Sequence, residues 1–205
     1  MTDKFTVYLV DDDPGVLKGL SRLLRARGHD VKPYSSPQVF LEEHDVAVPG
    51  CVVLDVSMPG LDGFEIQREL TAACGYHRPV VFVTGKGDIP TSVRAMKAGA
   101  IDFLTKPVKD KDLFEAVSRA EARDAELRRV HSEMESVQAK VSNLTPRERE
   151  VFTHVVAGRL NKQIAGDLGT VEKTIKVHRS RMMEKLGIRT VADLVRMAEK
   201  LNLPK

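Results

Sequence analysis

The sequence predicts an α/β domain on a parallel sheet, followed by a small all-α domain. Three observations carry this. Short apolar runs alternate with amphipathic stretches through residue 121. No Gly or Pro then occurs between Val108 and Asn143, which predicts one long helix. Beyond it, helical patterns are separated by single glycines. The expected divisions are an α/β domain at 1–121, a helical linker at 122–142 and an all-α domain at 143–205.

Residues 5–10 (Phe-Thr-Val-Tyr-Leu-Val) predict the first strand. Val16, Leu17, Leu20, Leu23 and Leu24 give residues 14–27 a helical face, which Gly28 ends. A weaker strand follows at 30–34 and a helix at 37–44. Residues 50–55 and 79–84 are apolar throughout, as strands buried on both faces must be. Helices at 62–71 and 90–98 follow them, then a fifth strand at 101–105. Within the long helix from Asp110, Leu127, Val130, Met134, Val137, Val141 and Leu144 step by 3, 4, 3, 4, 3. That spacing fits either an amphipathic helix lying on its own domain or an a/d seam, and a paired seam makes the chain a parallel dimer. Thr145-Pro146-Arg147-Glu148 predicts a helix start with a capping box. Helices at 161–168, 171–186 and 190–201 complete the second domain.

Only Cys51 and Cys74 occur, without a CxxC, which excludes a disulfide framework and a cysteine zinc site. No eighteen-residue apolar run predicts a membrane span, and MTDKFTVYLVDDD lacks a secretory cleavage pattern. A reducing cytoplasm is the expected compartment. Residues 1–121 carry 15 basic and 18 acidic side chains, whereas residues 143–205 carry 13 and 7. The net −3 and net +6 that result predict different partners for the two halves.

Ligands of an open parallel sheet bind outside the carboxyl ends of its strands. Asp11 and Asp12 end the first strand, Asp55 the third and Thr84 the fourth, and Lys106 follows the fifth. Clustered carboxylates need a cation or a proton, and an all-oxygen donor set suits Mg²⁺. An Asp carboxylate can attack phosphorus, while Mg²⁺, Lys106 and Thr84 stabilise the phosphoryl oxygens.

The runs Val10-Asp11-Asp12-Asp13, Leu54-Asp55-Val56-Ser57-Met58-Pro59-Gly60, Val83-Thr84-Gly85 and Phe103-Leu104-Thr105-Lys106-Pro107 resemble the receiver domain of two-component response regulators. The resemblance covers about residues 4–121. It implies a flavodoxin-like fold of strand order 2-1-3-4-5, with Asp55 as phosphoacceptor. It implies Mg²⁺ on the Asp12 and Asp55 side chains and the Ser57 carbonyl, with Asp11 acting through water. Thr84 and Lys106 would bind the phosphoryl group, Phe103 would be the switch aromatic, and Lys106-Pro107 would be cis. A phosphatase of the dehalogenase type needs an acid two residues after its nucleophile, where this chain has Ser57.

In the basic half, Lys173, Lys176, Arg179, Arg181 and Lys185 crowd one predicted helix. Ile175, Met182, Met183 and Leu186 are expected to face inward, with Lys176, Arg179 and Ser180 outward. Leu144-Thr-Pro-Arg-Glu-Arg-Glu150, Asn161-Lys-Gln-Ile-Ala165, Leu168-Gly169, Thr174-Ile-Lys-Val-His178 and Lys185-Leu186 resemble the LuxR-type helix-turn-helix domain. That resemblance implies four helices, the third entering the major groove. Positions matching phosphate contacts are Lys162, Lys173 and Thr174, and those facing base edges are Lys176, Val177 and Ser180. The family's usual capping Ser is replaced by Val171, so Thr170 is the alternative cap, with a shifted helix start. The two halves together resemble the FixJ-type branch of response regulators. This implies a phosphorylation-controlled transcription regulator rather than an enzyme. The implied partners are a sensor histidine kinase, double-stranded promoter DNA, RNA polymerase and, when phosphorylated, a second copy of the chain.

Overall fold

The computed structural model describes residues 4–74, 76–85 and 87–201. The outermost positions of the expected domains, 1–3 and 202–205, lie outside the described residues. The chain divides into two compact units, the first running to Arg129 and the second beginning at Val130.

In the first unit, β1 (Thr6–Val10), β2 (Asp30–Tyr34), β3 (Gly50–Asp55), β4 (Val80–Thr84) and β5 (Asp102–Thr105) form a parallel sheet of order β2-β1-β3-β4-β5. Side chains alternate across it, as a period of two requires. Val7, Leu9, Cys51, Val53, Val81 and Val83 pack on α1 (Pro14–Ala26) and the start of α5 (Asp110–Ser142). Tyr8, Val10, Val52, Leu54 and Phe82 pack on α2 (Pro37–Glu43), α3 (Gly63–Cys74) and α4 (Ile89–Lys97). The expected elements therefore form, with ends moved by at most three residues. Gly63 is needed where α3 begins, because a Cβ there would lie 2.6 Å from the Asp55 carbonyl oxygen.

A polar clasp holds the loop between α2 and β3. Arg78, 3% exposed, donates to the Val48 carbonyl at 2.7 Å, and Arg128 donates to the Ala47 carbonyl at 2.8 Å. Asp124 of α5 is buried between them and accepts from the Gly50 N–H at 3.1 Å and from Arg128 Nε at 3.0 Å. Burial pushes its carboxyl above the usual range, against the pull of Arg128.

Next to this clasp, His44 packs its ring 5.7 Å from Tyr8 and 5.2 Å from Phe40. Burial, reinforced by Arg78, lowers its pKa from 6.5 to about 4. A histidine kept neutral in the fold but protonated in the unfolded chain makes stability fall as pH drops from about 6.5 toward 4. His44→Phe should remove about 1–2 kcal/mol of the loss between pH 7 and pH 5, read from urea unfolding at both values.

In the second unit, α6 (Pro146–Val156), α7 (Asn161–Asp167), α8 (Glu172–Leu186) and α9 (Val191–Lys200) enclose one core. Ile164, Ile175 and Met182 are fully buried there. Leu144 also enters this core, and Val141 packs against it. The a/d seam is therefore divided: its last two positions serve the helical core, while Val130 and Met134 are 41% and 43% exposed. A period of 3.5 is equally consistent with a helix that packs against its own domain. Gly187 closes α8 at φ 70°, a conformation that costs glycine nothing.

Candidate functional site

The register of the sheet builds the acidic site. Val10 of β1 pairs with Leu54 of β3, so Asp11 and Asp55 leave neighbouring strands together. Thr84 and Thr105 pair at the same edge, and the Lys106 N–H donates to the Thr84 carbonyl at 2.8 Å. The Lys106-Pro107 bond is cis. Lys106 Nζ lies 2.6 Å from Asp11 Oδ2 and 3.1 Å from Asp55 Oδ2.

The three consecutive aspartates do different work. Asp13 caps α1, accepting from the Gly15 N–H at 2.7 Å and the Val16 N–H at 3.3 Å. Asp11 is buried and accepts from the Asp13 N–H at 2.9 Å. Asp12 is exposed at the mouth. Carboxylate oxygens of Asp11, Asp12 and Asp55 all lie within 4.8 Å of one another. Burial raises the Asp11 carboxyl above its ordinary pKa, opposed by Lys106. Burial works against the Lys106 ammonium, but hydrogen bonds and charge from Asp11 and Asp55 outweigh it and hold it above the usual lysine range. Three carboxylates against one ammonium leave an excess of negative charge on oxygen donors, which fits a hard divalent cation.

Thr84 is buried, and Ser57 sits beside Asp55, its N–H 3.4 Å from Asp55 Oδ1. Phe103 is half-buried against the core face that contains Phe82. The structure thus brings Asp11, Asp12, Asp55 and Lys106 together, with Ser57 and Thr84 at the same strand ends. The Asp11–Lys106 ion pair was not expected from sequence, because its partners lie 95 positions apart and on different strands.

In the second unit, Lys162, Lys173, Lys176, Val177 and Ser180 are exposed and Thr174 is half-buried. Lys176 Nζ pairs with Glu172 at 3.1 Å on the helix surface. Two expectations need correction. Arg179 does not face outward: it is half-buried and donates to Asn161 Oδ1 at 3.0 Å, tying α8 to α7. Thr170 does not cap α8 or shift its start; the N-cap is Val171, 65% exposed and without a side-chain cap bond. The Thr170 N–H donates to the Ala165 carbonyl at 2.9 Å, which closes the turn after α7.

Sequence reasoning also missed how α8 is anchored. Glu148, 3% exposed, accepts from the Thr145 N–H at 2.9 Å and from Lys185 Nζ at 2.7 Å. The Lys185 hydrogen bond leads in lowering its pKa to about 2. The capping-box spacing pointed to the first partner, but nothing local points to a lysine 37 residues away.

Residues 7–118 match the response regulator receiver domain, and residues 142–198 match the luxR family of bacterial regulatory proteins. The chain belongs to the two-component response regulators, with a receiver domain and a LuxR-type DNA-binding domain. This is a family of transcription regulators, not of enzymes. The chain is 41% identical to Nodulation protein W of Bradyrhizobium diazoefficiens over 98% of its own length and 88% of that protein. It is 40% identical to Transcriptional regulatory protein FixJ of Azorhizobium caulinodans, covering 97% and 93% of the two chains. Among solved structures, that of the response regulator StyR is 45% identical, with a TM-score of 0.79 over 96% of this chain and 99% of that one. Among the described residues, no helix is long and apolar enough to cross a membrane.

Proposed function

We propose that Asp55 is phosphorylated by a sensor histidine kinase and that this controls dimerisation or release of the DNA-binding domain. The observation that carries this is the convergence of Asp11, Asp12, Asp55 and Lys106 at the carboxyl edge of the sheet. The functional divisions are 1–121 for phosphoacceptance, 122–142 as linker and 143–205 for DNA binding. Asp11, Asp12 and Asp55, with the Ser57 carbonyl, would hold Mg²⁺. When bound, the ion supplies positive charge to the acid cluster and to a phosphoryl oxygen. An Asp55 oxygen attacks the phosphorus of a phosphohistidine; the O–P bond forms as the P–N bond breaks, and the imidazole leaves. Lys106 and Thr84 then bind the phosphoryl oxygens.

The added charge draws Lys106 from Asp11 and Thr84 toward the phosphoryl group, and Phe103 repacks into the space behind. Exposed Ile89, Val93 and Met96 stand at i, i+4 and i+7 on α4, which supports this face as the one a second copy covers. Calorimetry should find Mg²⁺ uptake by the wild type and its loss in Asp12→Ala. Sedimentation with beryllofluoride and Mg²⁺ should show dimer. Equal Mg²⁺ uptake by wild type and variant would remove the metal assignment.

On DNA, we assign Lys162, Lys173 and Thr174 to phosphates and Lys176, Val177 and Ser180 to base edges. The dimer would span two half-sites, about one helical turn apart. Lys176 must leave Glu172 to reach a base, a small cost for an exposed pair. Lys176→Ala should relax base preference, by about 1–3 kcal/mol at one base pair. Lys173→Ala should weaken all sequences evenly and reduce the salt slope by about 0.9. Gel shifts over a set of operator variants and salt concentrations separate the two. Identical behaviour of both variants on every sequence would remove the base-contact assignment. RNA polymerase is the expected downstream partner, and the cytoplasm the expected compartment.

A further inference from the structure

The first unit is acidic overall, yet α1 carries Lys18, Arg22 and Arg25 and no acidic residue from Pro14 to Ala26. At i, i+4 and i+7 the three cations share one face and span about 10 Å along the axis. They line a groove of about 660 Å³ that is completed by Leu17, Ser21 and, beyond β2, Ser35. No acid lines it. Lys18 and Arg22 are exposed, and among the described residues neither makes an ion pair. Arg25 donates to the Val31 carbonyl at 2.8 Å, which fixes its guanidinium beside the edge strand β2.

Between Lys18 and Arg22 in the chain stands Ser21. It is 5% exposed, lines the groove, and its hydroxyl has no hydrogen-bond partner. A buried hydroxyl left unpaired is costly, and alanine is a better helix former at such a position. Its Oγ is closed to solvent, so the cations and not this hydroxyl would contact a ligand in the groove.

We propose that this groove binds a polyphosphate anion, of the inorganic pyrophosphate or nucleoside polyphosphate class. One carboxylate would neutralise one of three cations. A chain of phosphate oxygens reaches several along the stripe, and guanidinium forks match such oxygens in pairs. The groove volume is in the range of small-molecule sites. The site is separate from Asp55 and does not depend on the assignment of that residue.

The test is calorimetric titration of the full chain with inorganic pyrophosphate in EDTA, so that no metal bridges the anion to the acid cluster. One saturable site per chain is expected, lost in the double variant Lys18→Ala/Arg22→Ala. Ser21→Ala should leave this affinity unchanged while raising the unfolding midpoint of the free chain. A second arm uses a nucleoside triphosphate: equal affinity identifies the phosphates alone as ligand, and tighter binding identifies a nucleotide. Asp55→Asn should lose phosphorylation and keep pyrophosphate binding, which separates failure of one assignment from failure of the other. The proposal is overturned if no saturable binding occurs. It is equally overturned if binding survives Lys18→Ala/Arg22→Ala and disappears in Lys173→Ala/Lys176→Ala, since the anion then sits on the DNA-binding domain.

Discussion

Asp55→Asn should reduce incorporation of labelled phosphate from acetyl phosphate to background while leaving the fold intact. The amide lacks the anionic oxygen that attacks phosphorus, so the O–P bond cannot form. The substitution is close to isosteric, and it removes one of three carboxylates whose oxygens lie within 4.8 Å of one another. Asp11 keeps Lys106 Nζ at 2.6 Å, so the ammonium does not lose its only partner. Thermal unfolding should therefore stay within about 1 kcal/mol of wild type, in either direction. Dimer formed in beryllofluoride and Mg²⁺ should disappear together with the label. Labelling at the wild-type level would place the acceptor elsewhere.

Glu148→Gln should destabilise the DNA-binding domain by about 2 kcal/mol, a large share of the stability of so small a domain. The glutamine oxygen can still accept from the Thr145 N–H, but the charge facing Lys185 is gone. A carboxyl lowered from 4.5 to about 2 contributes stability that is complete above about pH 4.5 and disappears as pH falls toward 2. The wild-type chain should thus lose stability over that acid range more steeply than the variant. Urea unfolding followed by circular dichroism at pH 7 and pH 3 measures both effects. Lys185 belongs to α8, so the same variant should weaken DNA binding wherever folding is incomplete. An unchanged midpoint at pH 7 would show that the pair contributes nothing to stability.

The difference between what was legible and what was not follows the range of each interaction. Strand and helix patterns depend on neighbours two to four positions apart, which is why β3 and β4 stand out as continuous apolar runs. The capping box of α6 is equally local: Thr145 and Glu148 find each other within one turn. The seam on α5 shows the limit of such patterns. Its spacing fixes which residues share a stripe but not what covers them, and Val141 and Leu144 are covered by the helical core. Arg179 misled for the same reason. Charge predicts solvent, and only the packing of α7 against α8 brings Asn161 within 3.0 Å of its guanidinium.

The amino-acid order by itself determined the two classes of domain, the residues at the strand ends and the identity of the basic helix, because each is set by local periodicity and short motifs. Tertiary structure alone decided that Asp11 pairs with Lys106, that Glu148 holds Lys185, and that the cations of α1 share a groove with Ser35 beyond β2. These are contacts between elements distant along the chain. Their energies depend on distance and burial, quantities that exist only once the sheet and the helices have packed.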